Sequence, residues 1–291
     1  MSVYKLNYRA YTGKVTPMWA RILVLVRYGY AEAWSSKITV GIAILSLLPC
    51  IVFLFGIYIS NNPMARLMLG NQSPRGLTID AEFFLIVLQI ESWFALVMTA
   101  WVAPRLITFD LADNALPILL SHPISRFGYV FGKFISLFVI LSMTTWIPGL
   151  MLFAYQGYSS PLPWALANLR IAVGLWAGAV IWTAFLSILG LALSSWVKWR
   201  AVATGIIFAA VFVPAGVGAI VSAVLRTRWG FLLNIPFMMS VLWQRLLGAP
   251  EFAKQKISLP TTAIAIMLML ICLICVAMLN ARIRAREVVR G

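Results

Sequence analysis

The one histidine of this chain, His122, has Ser121 beside it and Asp113 nine residues earlier. Those are the side-chain types of a nucleophilic triad. A triad, however, is defined by three-dimensional geometry and by donors for a developing oxyanion. Close neighbours in a proline-broken stretch do not supply either, so His122 is expected to be an incidental polar residue. The three cysteines offer as little. Cys272 and Cys275 stand in a CLIC spacing, but inside an apolar run. Thiolate ligands need deprotonation and further donors, so these residues are expected to be small core side chains, with neither metal nor disulfide framework implied. The segment GYVFGKF, Gly128 to Phe134, resembles a phosphate loop only superficially. It has three residues between its glycines where four are required, and Phe134 where a hydroxyl would meet magnesium. No ATP site, no bound cofactor and no catalysis by the chain itself are expected.

Acidic residues are few, eight in all, and each can be placed. Asp80 and Glu82 fall at the edge of a long apolar run. Asp110 and Asp113 lie in the stretch FDLADNALPILLSHPISRFGYVFGK, and Glu32, Glu251 and Glu287 are peripheral. Glu91 alone falls near the middle of an apolar run, FFLIVLQIESWFALV, two residues after Gln89. A carboxylate at membrane depth is expensive and by default faces a bundle interior, a wet cavity or a partner. Two roles stay open for Glu91: contact with a substrate, or a lock formed with Arg170 near the outer end of a later run. Glu91, Gln89 and Arg170 are the candidate intramembrane polar residues.

The elements that must position these residues follow from composition. Of 291 residues 62% are hydrophobic and 11% charged, and the mean hydropathy is +0.94. Soluble domains run nearer half apolar and a quarter charged. An all-α integral membrane protein is therefore expected. About 20 apolar residues cross a bilayer as a helix, and six segments are long enough: about 38–60, 83–103, 129–155, 169–196, 201–224 and 262–279. Residues 17–37 are apolar but punctuated by charge, which suggests an amphipathic helix lying in the interface. The segment 225–261 suggests short outer helices before the last span, with Pro236 breaking them. Gly174 with Gly178, and Gly205 with Ala209, are small-residue steps that favour close helix packing.

Fifteen of the 23 Lys and Arg fall on the side that holds both termini, so the N-terminal region 1–37 and the basic tail 281–291 are expected in the cytoplasm. The first 16 residues lack the apolar core of a signal peptide, so insertion through the spans of the domain 38–280 is expected. The net charge of +15 is distributed around apolar runs. It reads as an orientation signal and as contact with anionic lipid head groups, not as a nucleic-acid surface.

The stretch from Asp110 to Lys133 resembles a segment of permease subunits of type-2 ATP-binding-cassette exporters. That segment has an acidic residue, a Gly-Thr-Leu, a leucine run, Ser-x-Pro-Ile-Ser-Arg and a closing Gly-Lys. Here Asp110 takes the acidic position, Leu116 the leucine, and Leu119 and Leu120 the run. Ser121, Pro123, Ile124, Ser125 and Arg126 match the next block, and Gly132 with Lys133 closes it. Asn114-Ala115 and Pro117 depart from the usual form. The resemblance implies that residues 104–128 are cytoplasmic and contain a coupling helix docking on a separate nucleotide-binding subunit. ATP and Mg would be bound there, not here. It implies two such ATPase subunits and a second permease subunit, identical or homologous. Asp110, Asp113, Leu116, Leu120, Pro123 and Arg126 would form the coupling surface, and the transporter would sit in the cytoplasmic membrane. Prolines at 117 and 123 would confine any helix there to a short piece. A membrane-embedded enzyme or lipid-modifying factor, a gradient-driven secondary transporter and a non-transporting scaffold are the competing readings. The cargo is not legible, although 12 Trp and 17 Phe suit an amphipathic or lipidic substrate.

Overall fold

A backbone inside hydrocarbon must satisfy its own N–H and C=O groups, and a single helix does so without partners. Long runs of Leu, Ile, Val, Phe and Ala therefore become helices here. In the computed structural model, which describes residues 17–68, 78–112, 125–160, 163–249 and 259–282, every regular element is helical. In chain order they are α1 (Met18–Trp34), α2 (Lys37–Asn61), α3 (Pro63–Met68), α4 (Ala81–Ala112), α5 (Arg126–Met143), α6 (Trp146–Ser159), α7 (Trp164–Ala167), α8 (Leu169–Ser195) and α9 (Arg200–Val224). A 3-10 helix (Trp229–Leu233), α10 (Ile235–Leu247) and α11 (Thr261–Arg282) follow.

Six helical segments are long and apolar enough to cross a membrane: Lys37–Asn61, Ala81–Thr108, Arg126–Ser159, Leu169–Ser195, Arg200–Val224 and Thr261–Arg282. They coincide with the six runs read from the sequence. The third is not one helix. It breaks at Thr144 and Thr145, between α5 and α6. Pro148 has no N–H to give the Thr144 carbonyl, and its ring would crowd that carbonyl in a continuous helix. Both threonine hydroxyls instead donate to the Leu141 carbonyl, at 3.0 and 2.8 Å, and so satisfy the end of α5.

The helices α4 and α8 form the centre, packed on each other along their length. Glycines in α8 permit this. Gly190 lies against Thr99 and Ala103 of α4, Gly178 against the Trp243 ring, and Gly174 against the backbone of Leu246 and Leu247. The GLWAG step is thus an internal contact between α8 and α10. Gly205, by contrast, has open space around it, and Ala209 is exposed. That second step faces outward on α9. The helices α2, α9 and α11 are peripheral, with most of their side chains outward.

The starts of two further elements are set by caps. Asp80 caps α4, its carboxylate accepting from the N–H groups of Glu82 and Phe83 at 3.0 and 3.2 Å, which explains an acid at that edge. Pro236 starts α10 instead of breaking it: Asn234 caps the helix by accepting from the Phe237 N–H at 3.0 Å, and a proline in the first turn costs nothing because its N–H would be unpaired there anyway. The helix α10 buries Phe237, Met238, Met239, Trp243 and Leu247. It is a short helix before the last span, packed against α8 and α4.

Candidate functional site

The stretch that resembles a coupling segment begins at the end of α4 and ends in α5. Asp113, Leu116, Leu120, Pro123 and His122 lie outside the described residues. Asp110 and Arg126 lie within them and have opposite environments. The chain bends into α5 at Ser125, whose hydroxyl oxygen accepts from the Gly128 N–H at 3.0 Å. Arg126 is exposed at the start of that helix. Asp110 turns inward. Lys133 of α5 reaches its carboxylate at 2.8 Å, and the Tyr129 hydroxyl donates to the same oxygen at 2.6 Å. Tyr129 and Lys133 are four residues apart and share one face of α5. The side chain of Lys133 is 5% exposed and that of Asp110 19%, so the pair is largely removed from water. It ties the end of α4 to the beginning of α5.

The helix α1 covers this pair. It lies along α5 because Gly132 lets Leu25 close in and Gly29 lets Ser136 close in; a Cβ at either glycine would stand 2.7 Å from its neighbour. The Ser136 hydroxyl also donates to the Val26 carbonyl at 3.3 Å. This contact presents Glu32, which lies outside the spans, to the cluster. Burial pushes its carboxyl above the ordinary carboxylate range and Asp110 adds to the push, while Lys133, Arg105 and Arg200 oppose it. Three helices thus converge: α1 with Glu32, α4 with Arg105 and Asp110, α5 with Tyr129 and Lys133. Tyr129 escaped the sequence reading, Glu32 entered it only as a peripheral acid, and Lys133 only as the end of a motif. The signal was present: a lysine within a run of Phe, Ile and Leu must find a counter-charge or leave the membrane.

Within the spans, Gln89 and Glu91 point to different places. Two positions along a helix differ by about 200° around its axis. Glu91 is fully buried. Its Oε1 accepts from the Cys50 thiol of α2 at 3.1 Å, and its Oε2 has no hydrogen-bond partner among the described residues. Gly149, just after the break between α5 and α6, leaves that oxygen room, since a Cβ there would be 3.4 Å away. Arg170 is not its partner. The Arg170 guanidinium donates to the Arg245 carbonyl at 3.0 Å and lies against Gly248, while Arg245 donates to the Leu259 carbonyl at 2.8 Å. The two arginines tie α8, α10 and the entry to α11 together. The lock expected between Glu91 and Arg170 is absent, because each of the two is held elsewhere.

Gln89 faces a cavity of about 210 Å³ lined by Ser92, Trp93, Trp182, Ser240 and Trp243. Trp182 donates to the Ser92 carbonyl at 3.2 Å and Trp243 to the Gly178 carbonyl at 3.0 Å, which turns both rings edge to face, 5.9 Å apart. The result is an aromatic chamber with an amide and two hydroxyls, bounded by α4, α8 and α10. Among the described residues no three of His, Cys, Asp and Glu come together to hold a metal. No protein-family model matches the chain, and no curated protein matches it in sequence.

Proposed function

We propose that this chain is the membrane-spanning subunit of an ATP-driven exporter, coupled through residues 104–128 to a separate nucleotide-binding subunit. The observation that carries the reading is the inward grip on both ends of that segment. Asp110 within it, at the end of α4, and Tyr129 and Lys133 just after it form one buried hydrogen-bonded unit, backed by α1. A segment held this way moves with α4 and α5 as a lever, so a partner that closes and opens on ATP would transmit its motion into the spans. The motif supplies the docking side: Asp113, Leu116, Leu120 and Pro123 within the segment, and exposed Arg126 at its end. Two ATPase subunits and a second copy or homologue of this chain complete the assembly in this reading, with both termini on the ATPase side of the cytoplasmic membrane. The outward faces of α2 and α9, with open space at Gly205 and Gly216, favour a second permease beside them. Glu91 and the Gln89 chamber are the polar points along a substrate path.

The test is gentle purification from the native membrane. An ATPase subunit is expected to accompany the chain, and Leu120→Glu with Arg126→Glu is expected to release it while the chain stays folded. Full retention of the ATPase by that double variant would refute docking at this segment. Failure of any ATPase to accompany the unmodified chain would refute the exporter reading itself.

A further inference from the structure

A second surface lies on the opposite side of α5 from the ion pair. A groove of about 560 Å³ opens between α5, α8 and α11. Its floor is Ile188 and Leu191 of α8, and Val276 and Leu279 of α11 form one wall. The other wall is a ladder of phenylalanines. Phe127 stacks on Phe131 at 5.6 Å, Phe131 on Phe134 at 6.3 Å, and Phe134 on Phe138 at 5.9 Å, all within 24° of parallel. Phe127 is 72% exposed and Phe131 40% exposed, so the ladder is an open face.

The groove is polar at one end only. The helix α5 begins where α11 ends, so Arg126 and Asn280 line the same rim. Among the described residues no acidic side chain lines it. Of the ladder, Phe127, Phe131 and Phe134 line the groove, a rise of about 10 Å at 1.5 Å per residue, roughly a third of the 30 Å hydrocarbon core. An apolar channel of that length, with a guanidinium and an amide at the head-group end, suits the upper part of one acyl chain below an anionic head.

We infer that this groove is a binding site for an anionic phospholipid of the leaflet at the start of α5. The acyl chain lies along the phenylalanine ladder and the phosphate meets Arg126. The inference needs only the six spans and holds or fails independently of the exporter reading.

The full chain, reconstituted without any partner in bilayers of phosphatidylglycerol and phosphatidylcholine, is assayed with spin-labelled forms of each lipid. The unmodified chain is expected to hold phosphatidylglycerol in preference. Arg126→Gln is expected to reduce that preference about fivefold, the size of one basic contact near a membrane surface, and Arg126→Lys to keep most of it. Val276→Trp, which fills the groove, is expected to lower the immobilised population of both lipids. Equal immobilisation of the two lipids by the unmodified chain, or no change with either Arg126→Gln or Val276→Trp, would overturn the inference. So would a Val276→Trp chain that loses self-association while its lipid binding is unchanged, because the occupant would then be a second copy.

Discussion

Lys133 stands among phenylalanines, leucines and isoleucines, and its position is tolerable only because Asp110 and Tyr129 receive it. Removing one member of a buried pair leaves the other uncompensated. Lys133→Ala is expected to destabilise the chain by about 3–5 kcal/mol, while Asp110→Asn, which retains an acceptor for both donors, costs less. The combined variant is expected to lose less than the sum of the two, because the second change removes the charge that the first stranded. Thermal unfolding in detergent measures all three. Glu91 behaves differently, since its carboxyl is met by a thiol and not by a cation. Glu91→Gln is expected to fold within about 1 kcal/mol of the unmodified chain and, on the proposed exporter reading, to lower the transport-coupled ATPase activity of the purified complex. Unchanged activity would make Glu91 a packing residue.

At the scale of elements, glycines decide which helices approach. The obstacle at Gly132 is the tip of Leu25, which can rotate, whereas at Gly174 it is the backbone of Leu246 and Leu247. Gly174→Ala is therefore expected to cost at least 1 kcal/mol more than Gly132→Ala, comparable to overpacking elsewhere, as read from melting temperatures. The docking of α1 is expected to depend on pH through Glu32. Burial raises its carboxyl in the folded chain, so the folded form holds the proton more tightly than the unfolded one. Its favourable contribution is complete below the ordinary carboxylate range and is lost as pH rises through the raised value. Glu32→Gln is expected to remove that dependence, so it stabilises more at pH 8 than at pH 5. Limited proteolysis within residues 17–37 as a function of pH checks the sign.

For the molecule as a whole, the division into a buried centre and an open periphery frames its association. The helices α4 and α8 are committed inside, while α9 keeps an outward row of small residues. A Cβ at Gly205 meets nothing within 4 Å among the described residues, so Gly205→Leu is expected to leave the fold intact while weakening self-association, measured by light scattering of the detergent complex. A variant that associates as before would exclude α9 as the contact.

The sequence alone determined that the chain is all-α and crosses a membrane with six segments, because apolar run length and the need to satisfy backbone groups leave no other solution. It also placed the stretch around Asp110 and Arg126 between two spans, and flagged Glu91, because charge at depth is conspicuous in a greasy chain. What it could not determine is where side chains point. A helix repeats every 3.6 residues, but in a span that is apolar all round, the pattern does not mark the inner face. Only packing showed that Asp110 turns to Lys133, that Glu91 finds Cys50 and not Arg170, and that Gln89 faces the chamber of Trp93, Trp182 and Trp243. The break at Thr144 and Thr145 and the burial of α10 were decided in the same way. A proline permits both a kink and a helix start, and the neighbouring helices select between them.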